Sequence, residues 1–178
     1  HDEADARLIA DHLIDCELRG VRYGGLARAI TVMERFQRTG DRRKPLKVVR
    51  ETPTSALLEG GDQLGYLAAH RATTIAIAKA KTSNVAMVGA NDNWLSGMLS
   101  YYPEMVAREG LVAMMSAHAG PWVAPHGGAK GVFGTNPMCF AFPSAGDPII
   151  WDIGTSAIMH AEVMLARRLG KPLPEGVA

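Results

Sequence analysis

An excess of charge of either sign is missing from this chain. Nineteen Lys and Arg stand against eighteen Asp and Glu, a formal net charge of +1. With no broad field, neither nucleic acid nor an anionic membrane surface is an expected partner. Cysteine is scarce as well: Cys16 and Cys139 lie far apart, with no C-x-x-C spacing. That argues against a disulfide framework and a zinc site, and it suits a reducing, cytoplasmic setting. No apolar run approaches the ~20 residues of a membrane span, and no signal-peptide pattern is present. Since the chain does not open on Met, its natural N-terminus is expected further upstream. Familiar signatures are also absent. There is no G-x-G-x-x-G after a strand, no G-x-x-x-x-G-K-[ST], no H-E-x-x-H and no G-x-S-x-G, so the standard Rossmann, P-loop, zinc-protease and hydrolase readings lose their support.

What is there reads as a soluble globular chain, 47% hydrophobic and 21% charged over 178 residues, enough for one good core. Ile9, Leu13 and Cys16 give Asp2 to Arg19 a helical stripe, with Asp2 as cap. A second helix is expected from near Gly25 to Gly40, with Leu26, Ile30 and Met33 on one face. Lys47–Thr52 and Ser55–Glu59 read as a strand pair split by Pro53. Gly60-Gly61-Asp62 then reads as a turn into a long helix, Gln63 to about Thr82. Beyond it come a buried strand at Val85–Val88, a helix over Met98–Arg108 and strands at Leu111–Met115, Met138–Phe142 and Ile149–Asp152. A helix over Ile158–Leu169 closes the series. The texture is α/β or α+β, helical first and sheet-centred from near residue 80.

Between the Leu111 and Met138 strands lies a shaped stretch, Ala124 to Pro137, rich in Gly and Pro and carrying His126. It serves either as a pair of tight turns or as a ligand surface. Other polar residues collect in loops and at strand ends. Arg28 follows a glycine-rich turn, where a guanidinium can clamp a carboxylate or simply face solvent. Ser96 and Gly97 are expected at a helix N-terminus, suited to an anion or to plain capping. His118 and His126 are candidates for acid/base work or ordinary loop histidines. Asp152 ends an apolar strand and either orients a catalytic group or caps the Gly154-Thr155-Ser156 turn.

Taken in order, Cys16-Glu-Leu-Arg-Gly20, Gly25-Leu-Ala-Arg28, Ser96-Gly97, Tyr101-Tyr102, Pro125-His-Gly-Gly128, Gly134-Thr-Asn-Pro137 and Trp151-Asp-Ile-Gly-Thr-Ser156 resemble the malate/L-lactate dehydrogenase family of the non-Rossmann type. That family includes ureidoglycolate and sulfolactate dehydrogenases and Δ1-piperideine-2-carboxylate reductases. The resemblance runs along the whole chain, and P-x-G-G followed by G-T-N-P is its most specific part.

The resemblance implies an α/β, non-Rossmann NAD(P)-binding fold with a mixed sheet and a helical N-terminal segment. Residues 1–80 would form the helical, substrate-side part of one domain. Residues 81–178 would form a cofactor-binding domain, incomplete at its C-terminal end. It further implies a homodimer that uses NADPH or NADH to reduce a small 2-oxo or cyclic imino acid, or to oxidise a 2-hydroxy acid. Arg28 falls on the family's substrate-carboxylate arginine and Asp152 on its relay aspartate. Leu95, Ser96, Gly97, Met98 and Leu99, with Gly134, Thr135, Asn136 and Pro137, fall on segments that line the cofactor. The family's two proton-handling histidines fall on Gly24 and Leu95, and its relay serine on Tyr23. Three outcomes stay open: proton transfer by Tyr23, His118 or His126; an imine substrate already protonated; or a fold that binds a ligand or partner without catalysis.

Overall fold

A computed structural model of the protein describes residues 2–177. Helix α1 spans Glu3–Leu18 and buries His12, Leu13 and Cys16. Its start is capped as expected, the Asp2 carboxylate accepting the Asp5 N–H at 2.8 Å. A short 3-10 turn, Arg22–Gly24, leads into α2, Ala27–Thr39. Here the inward face differs from the expected one. Leu26, Ile30 and Met33 are exposed, while Ala29 and Val32 pack on the cluster of Leu13, Leu64 and Tyr66. The helix is thus turned by about one residue, roughly 100°, and that rotation carries Arg28 to the protein side.

Strands β1 (Lys47–Glu51) and β2 (Ser55–Leu64) form the expected antiparallel pair, and β3 (Met87–Trp94) joins β2 in parallel. This first sheet is mixed, in the order β1-β2-β3. Two expectations fail within it. Gly60-Gly61-Asp62 is not a turn: it lies inside β2, where the register with β3 shifts between Glu59 and Gln63. A side chain at Gly60 would strike the Asn91 and Asp92 carbonyls, and Gly61 and Asp62 adopt φ of 59° and 56°, so glycine lets the strand bulge instead of ending. The strand expected at Val85–Val88 starts later, runs through Asn91–Asn93, and is largely exposed. It is an edge strand with one covered face, and α3 (Gly65–Ser83) supplies that cover.

Helix α4 is Tyr101–Arg108, shorter than expected at its start. It packs on the second sheet, β4 (Ala113–Ser116), β5 (Met138–Phe142) and β6 (Ile149–Ile153), antiparallel throughout. Helix α5, His160–Arg168, lies against the 3-10 turn. The architecture is α/β with a mixed sheet behind a helical N-terminal segment. No helix among the described residues is long and apolar enough to cross a membrane.

Candidate active site

Arg28 sits in the first turn of α2. Its entry is held by the Glu17 carboxylate of α1, which accepts the Leu26 N–H at 2.8 Å. The guanidinium is half-buried, and burial lowers its proton affinity. Among the described residues, no carboxylate or hydrogen-bond acceptor pairs with it. Tyr66, from the first turn of α3, lies within electrostatic reach, so that its charge state and that of Arg28 bear on each other. Tyr66 is fully buried and its hydroxyl has no hydrogen-bond partner. A partly desolvated cation without a counter-ion, near a hydroxyl without a hydrogen-bond partner, is able to receive an anion.

Tyr23 projects from the 3-10 turn. Burial, and then the carboxylates of Glu162 and Asp152, push its phenol above the usual range. Tyr23 and Glu162 also line a cleft of about 430 Å³ with Arg22, Leu165 and Lys171; Arg28 does not line it. Asp152 does not cap the Gly154-Thr155-Ser156 turn. Its Oδ2 accepts the Ser100 N–H at 2.7 Å, tying β6 to the start of α4, and the turn is held by Thr155, which donates its N–H and Oγ1 to the Thr135 carbonyl, both at 2.9 Å. His118 and His126 are exposed, and neither makes a side-chain hydrogen bond, ion pair or ring contact among the described residues.

The loop before α4 corrects another expectation. Ser96 and Gly97 lie short of the helix, and the Met98 N–H donates to His12 Nε2 at 2.9 Å. Tyr102 donates its hydroxyl to the Ser96 carbonyl at 2.6 Å. Met98 and Leu99 are buried side chains, so only Leu95, Ser96 and Gly97 keep partial exposure. The Gly134–Pro137 turn is equally fixed, with Asn136 Oδ1 accepting the Ala119 N–H at 3.2 Å. Val123 and Phe133 pair as a β-bridge, and Trp122, Val132 and Phe133 are exposed. Exposed apolar side chains near hydrogen-bonded backbone are able to receive a flat, carboxamide-bearing ring such as nicotinamide.

A sequence model of the malate/L-lactate dehydrogenase family matches residues 1–178. The chain belongs to the malate/L-lactate dehydrogenase family. It is 35% identical over 177 residues to the malate dehydrogenase of Pyrococcus horikoshii, covering 99% of this chain and 49% of that one. Over 172 residues it is 34% identical to the ureidoglycolate dehydrogenase (NAD(+)) of Escherichia coli O157:H7, covering 96% and 49%. The crystal structure of the malate dehydrogenase from Entamoeba histolytica superposes with a TM-score of 0.88 at 30% identity, over 98% of this chain and 49% of the other. The chain therefore spans about half the length of these relatives.

Within the family frame, sequence reasoning missed three groups. Tyr66 carried no signal beyond apolar periodicity. Trp122 and His160 stack, ring centroids 4.3 Å apart and planes 19° apart, although they lie in separate segments of the chain. Burial and the Arg28 charge both lower the proton affinity of His160. The only sequence cue for His160 was its place at the head of α5.

Proposed function

We propose that this chain carries the substrate-binding side, and part of the cofactor-binding side, of a nicotinamide-dependent oxidoreductase. Its substrate is a small 2-oxo or 2-hydroxy acid, or a cyclic imino acid. The observation that carries the reading is the half-buried Arg28 guanidinium, without a carboxylate partner, within electrostatic reach of the orphaned Tyr66 hydroxyl. Arg28 holds the substrate carboxylate through a charge-assisted pair. The backbone of Leu95–Gly97 and Gly134–Pro137, with the exposed side chains of Trp122 and Phe133, holds the cofactor; Met98 and Leu99 support that loop from below. Bound there, NADPH or NADH supplies the hydride. Tyr23 lines the cleft within electrostatic reach of Asp152, and His118 and His126 lie on the loop that follows β4. Residues 1–80 form the substrate side and 81–178 the cofactor side of a cytoplasmic homodimer.

The glycine at 24 and leucine at 95, where the family's histidines fall, favour a second reading: a non-catalytic homologue that keeps the ligand site. One set of measurements separates the two. The full-length protein is titrated with NADPH and NADH and then assayed on a panel of 2-oxo and cyclic imino acids. Cofactor binding with turnover is expected, and Arg28→Ala should raise KM by roughly 30-fold or more, since a desolvated pair of this kind is worth about 2–5 kcal/mol. Binding without turnover on any substrate would leave the non-catalytic reading standing. Unchanged kinetics in the variant would remove Arg28 from the site.

A further inference from the structure

A 2-oxo acid imposes a geometric condition on its enzyme. The reacting carbonyl carbon is bonded directly to the carboxylate carbon, so the group that protonates the carbonyl oxygen must neighbour the carboxylate clamp. Five histidines are described, at positions 12, 70, 118, 126 and 160. His12 is buried, with its Nε2 committed to the Met98 N–H. His70 lies within α3, and burial alone perturbs it, with no charged neighbour acting on it. His118 and His126 are exposed and their rings are unfixed. His160 differs from all four. Its ring is held face to face on Trp122 at 4.3 Å, its helix α5 packs on the same 3-10 turn that α2 and Arg28 follow, the Arg28 charge reaches it, and neither ring nitrogen makes a hydrogen bond among the described residues. Its helix start is itself fixed, since the Glu162 carboxylate accepts the Met159 N–H at 3.1 Å.

We propose that His160 is the proton-transfer group of this site, the catalytic acid in reduction and the base in oxidation, presented to the substrate beside Arg28 by its stack on Trp122. This rests on the oxidoreductase reading above. In reduction, a bound reduced nicotinamide would supply hydride to the carbonyl carbon, and the carbonyl oxygen, receiving the C–O π pair, would take the imidazolium proton of His160. The products are the 2-hydroxy acid, oxidised nicotinamide and neutral imidazole. Oxidation runs the same transfers in reverse. Charge at the clamp times the event. The unpaired Arg28 disfavours the imidazolium, and a bound carboxylate neutralises Arg28, so protonation of His160 is favoured once substrate is in place. The other titratable groups of the neighbouring elements are Arg22 and Tyr23 of the 3-10 turn, Asp152 of β6, His118, His126 and Lys130 of the Trp122 loop, and Glu162, Arg167 and Arg168 of α5.

The test uses the full-length protein, with His160→Gln and Trp122→Leu as variants and oxamate as the non-reacting probe. Calorimetric titration in buffers of differing ionisation enthalpy reads proton uptake on oxamate binding; steady-state kinetics reads kcat and KM against pH. The wild type is expected to take up a fraction of a proton with oxamate. His160→Gln should bind oxamate, lose that uptake, and lower kcat for a 2-oxo acid about 10²–10⁴-fold with little change in KM. A cyclic imino acid, whose iminium form brings its own proton, should lose far less. Trp122→Leu, which keeps the imidazole but frees it, should fall between wild type and His160→Gln. Unchanged proton uptake and kcat in His160→Gln, with the wild type active, would overturn the role of His160 alone. A wild type that neither binds oxamate nor turns over would sink this role together with the oxidoreductase reading.

Discussion

His12 shows how far burial can move one side chain from its ordinary chemistry. It lies wholly inside, ringed by Tyr66, Tyr101 and Tyr102 at centroid distances of 4.8, 4.5 and 5.5 Å. Desolvation lowers its pKa from 6.5 to about 4, against a smaller opposing pull from Asp15. The neutral ring is what accepts the Met98 N–H and holds the loop before α4. Unfolded, the same imidazole binds a proton below pH 6.5, so between pH 4 and 6.5 the unfolded chain carries more protons. Stability is therefore full above pH 6.5 and falls as pH drops toward 4, by roughly 3 kcal/mol at most. Denaturant melts across that window should show the decline, and His12→Asn should flatten it. Arg28 and Tyr66 follow the same physics with a different outcome. Neither has a hydrogen-bond or ion-pair partner among the described residues, and resemblance identified Arg28 while no pattern pointed to Tyr66.

At the scale of elements, the loop Leu95–Leu99 is the clearest case of a segment that tertiary contacts shape. Leu95 and Gly97 adopt φ of 63° and 77°, and a Cβ on Gly97 would run into the His12 imidazole and the Tyr66 ring. Gly97→Ala combines backbone strain with overpacking, and a loss of roughly 2–4 kcal/mol is expected. Thermal unfolding checks it, and a Tm within a degree of wild type would contradict the packing described. The helix expected to begin at Met98 starts at Tyr101 because the Met98 N–H is bonded to His12 and the Ser100 N–H to Asp152. Local propensity carries no trace of partners 86 and 52 residues away in sequence. The α2 helix makes the complementary point. Its periodicity was legible, but Ala29 and Val32, rather than the larger Leu26 and Met33, meet the core.

For the molecule as a whole, the exposed surface is 10925 Å², against ~8,400 Å² for a compact monomer of this size. The excess is not spread evenly. Met87 on the first sheet and Met114, Ile149 and Trp151 on the second stand open, as do Leu18 and Met33 on the helices. Apolar surface of this extent attracts apolar partners. The 178-residue chain by itself is therefore expected to bind the dye ANS and to self-associate as concentration rises. Fluorescence titration with sedimentation analysis measures both; a dye-inert monomer would contradict the exposure described.

The sequence alone determined the order of helices and strands, the capped start of α1, the β1–β2 pair and the ordered motifs that place the chain in its family. These are properties of neighbouring residues: periodicity, caps, turn chemistry and local spacing. Tertiary structure decided the bulge inside β2, the rotation of α2, the burial of Met98 and Leu99, and the stacking of Trp122 on His160. Each of those depends on groups far apart in the chain competing for the same space, and a linear pattern holds no record of that competition.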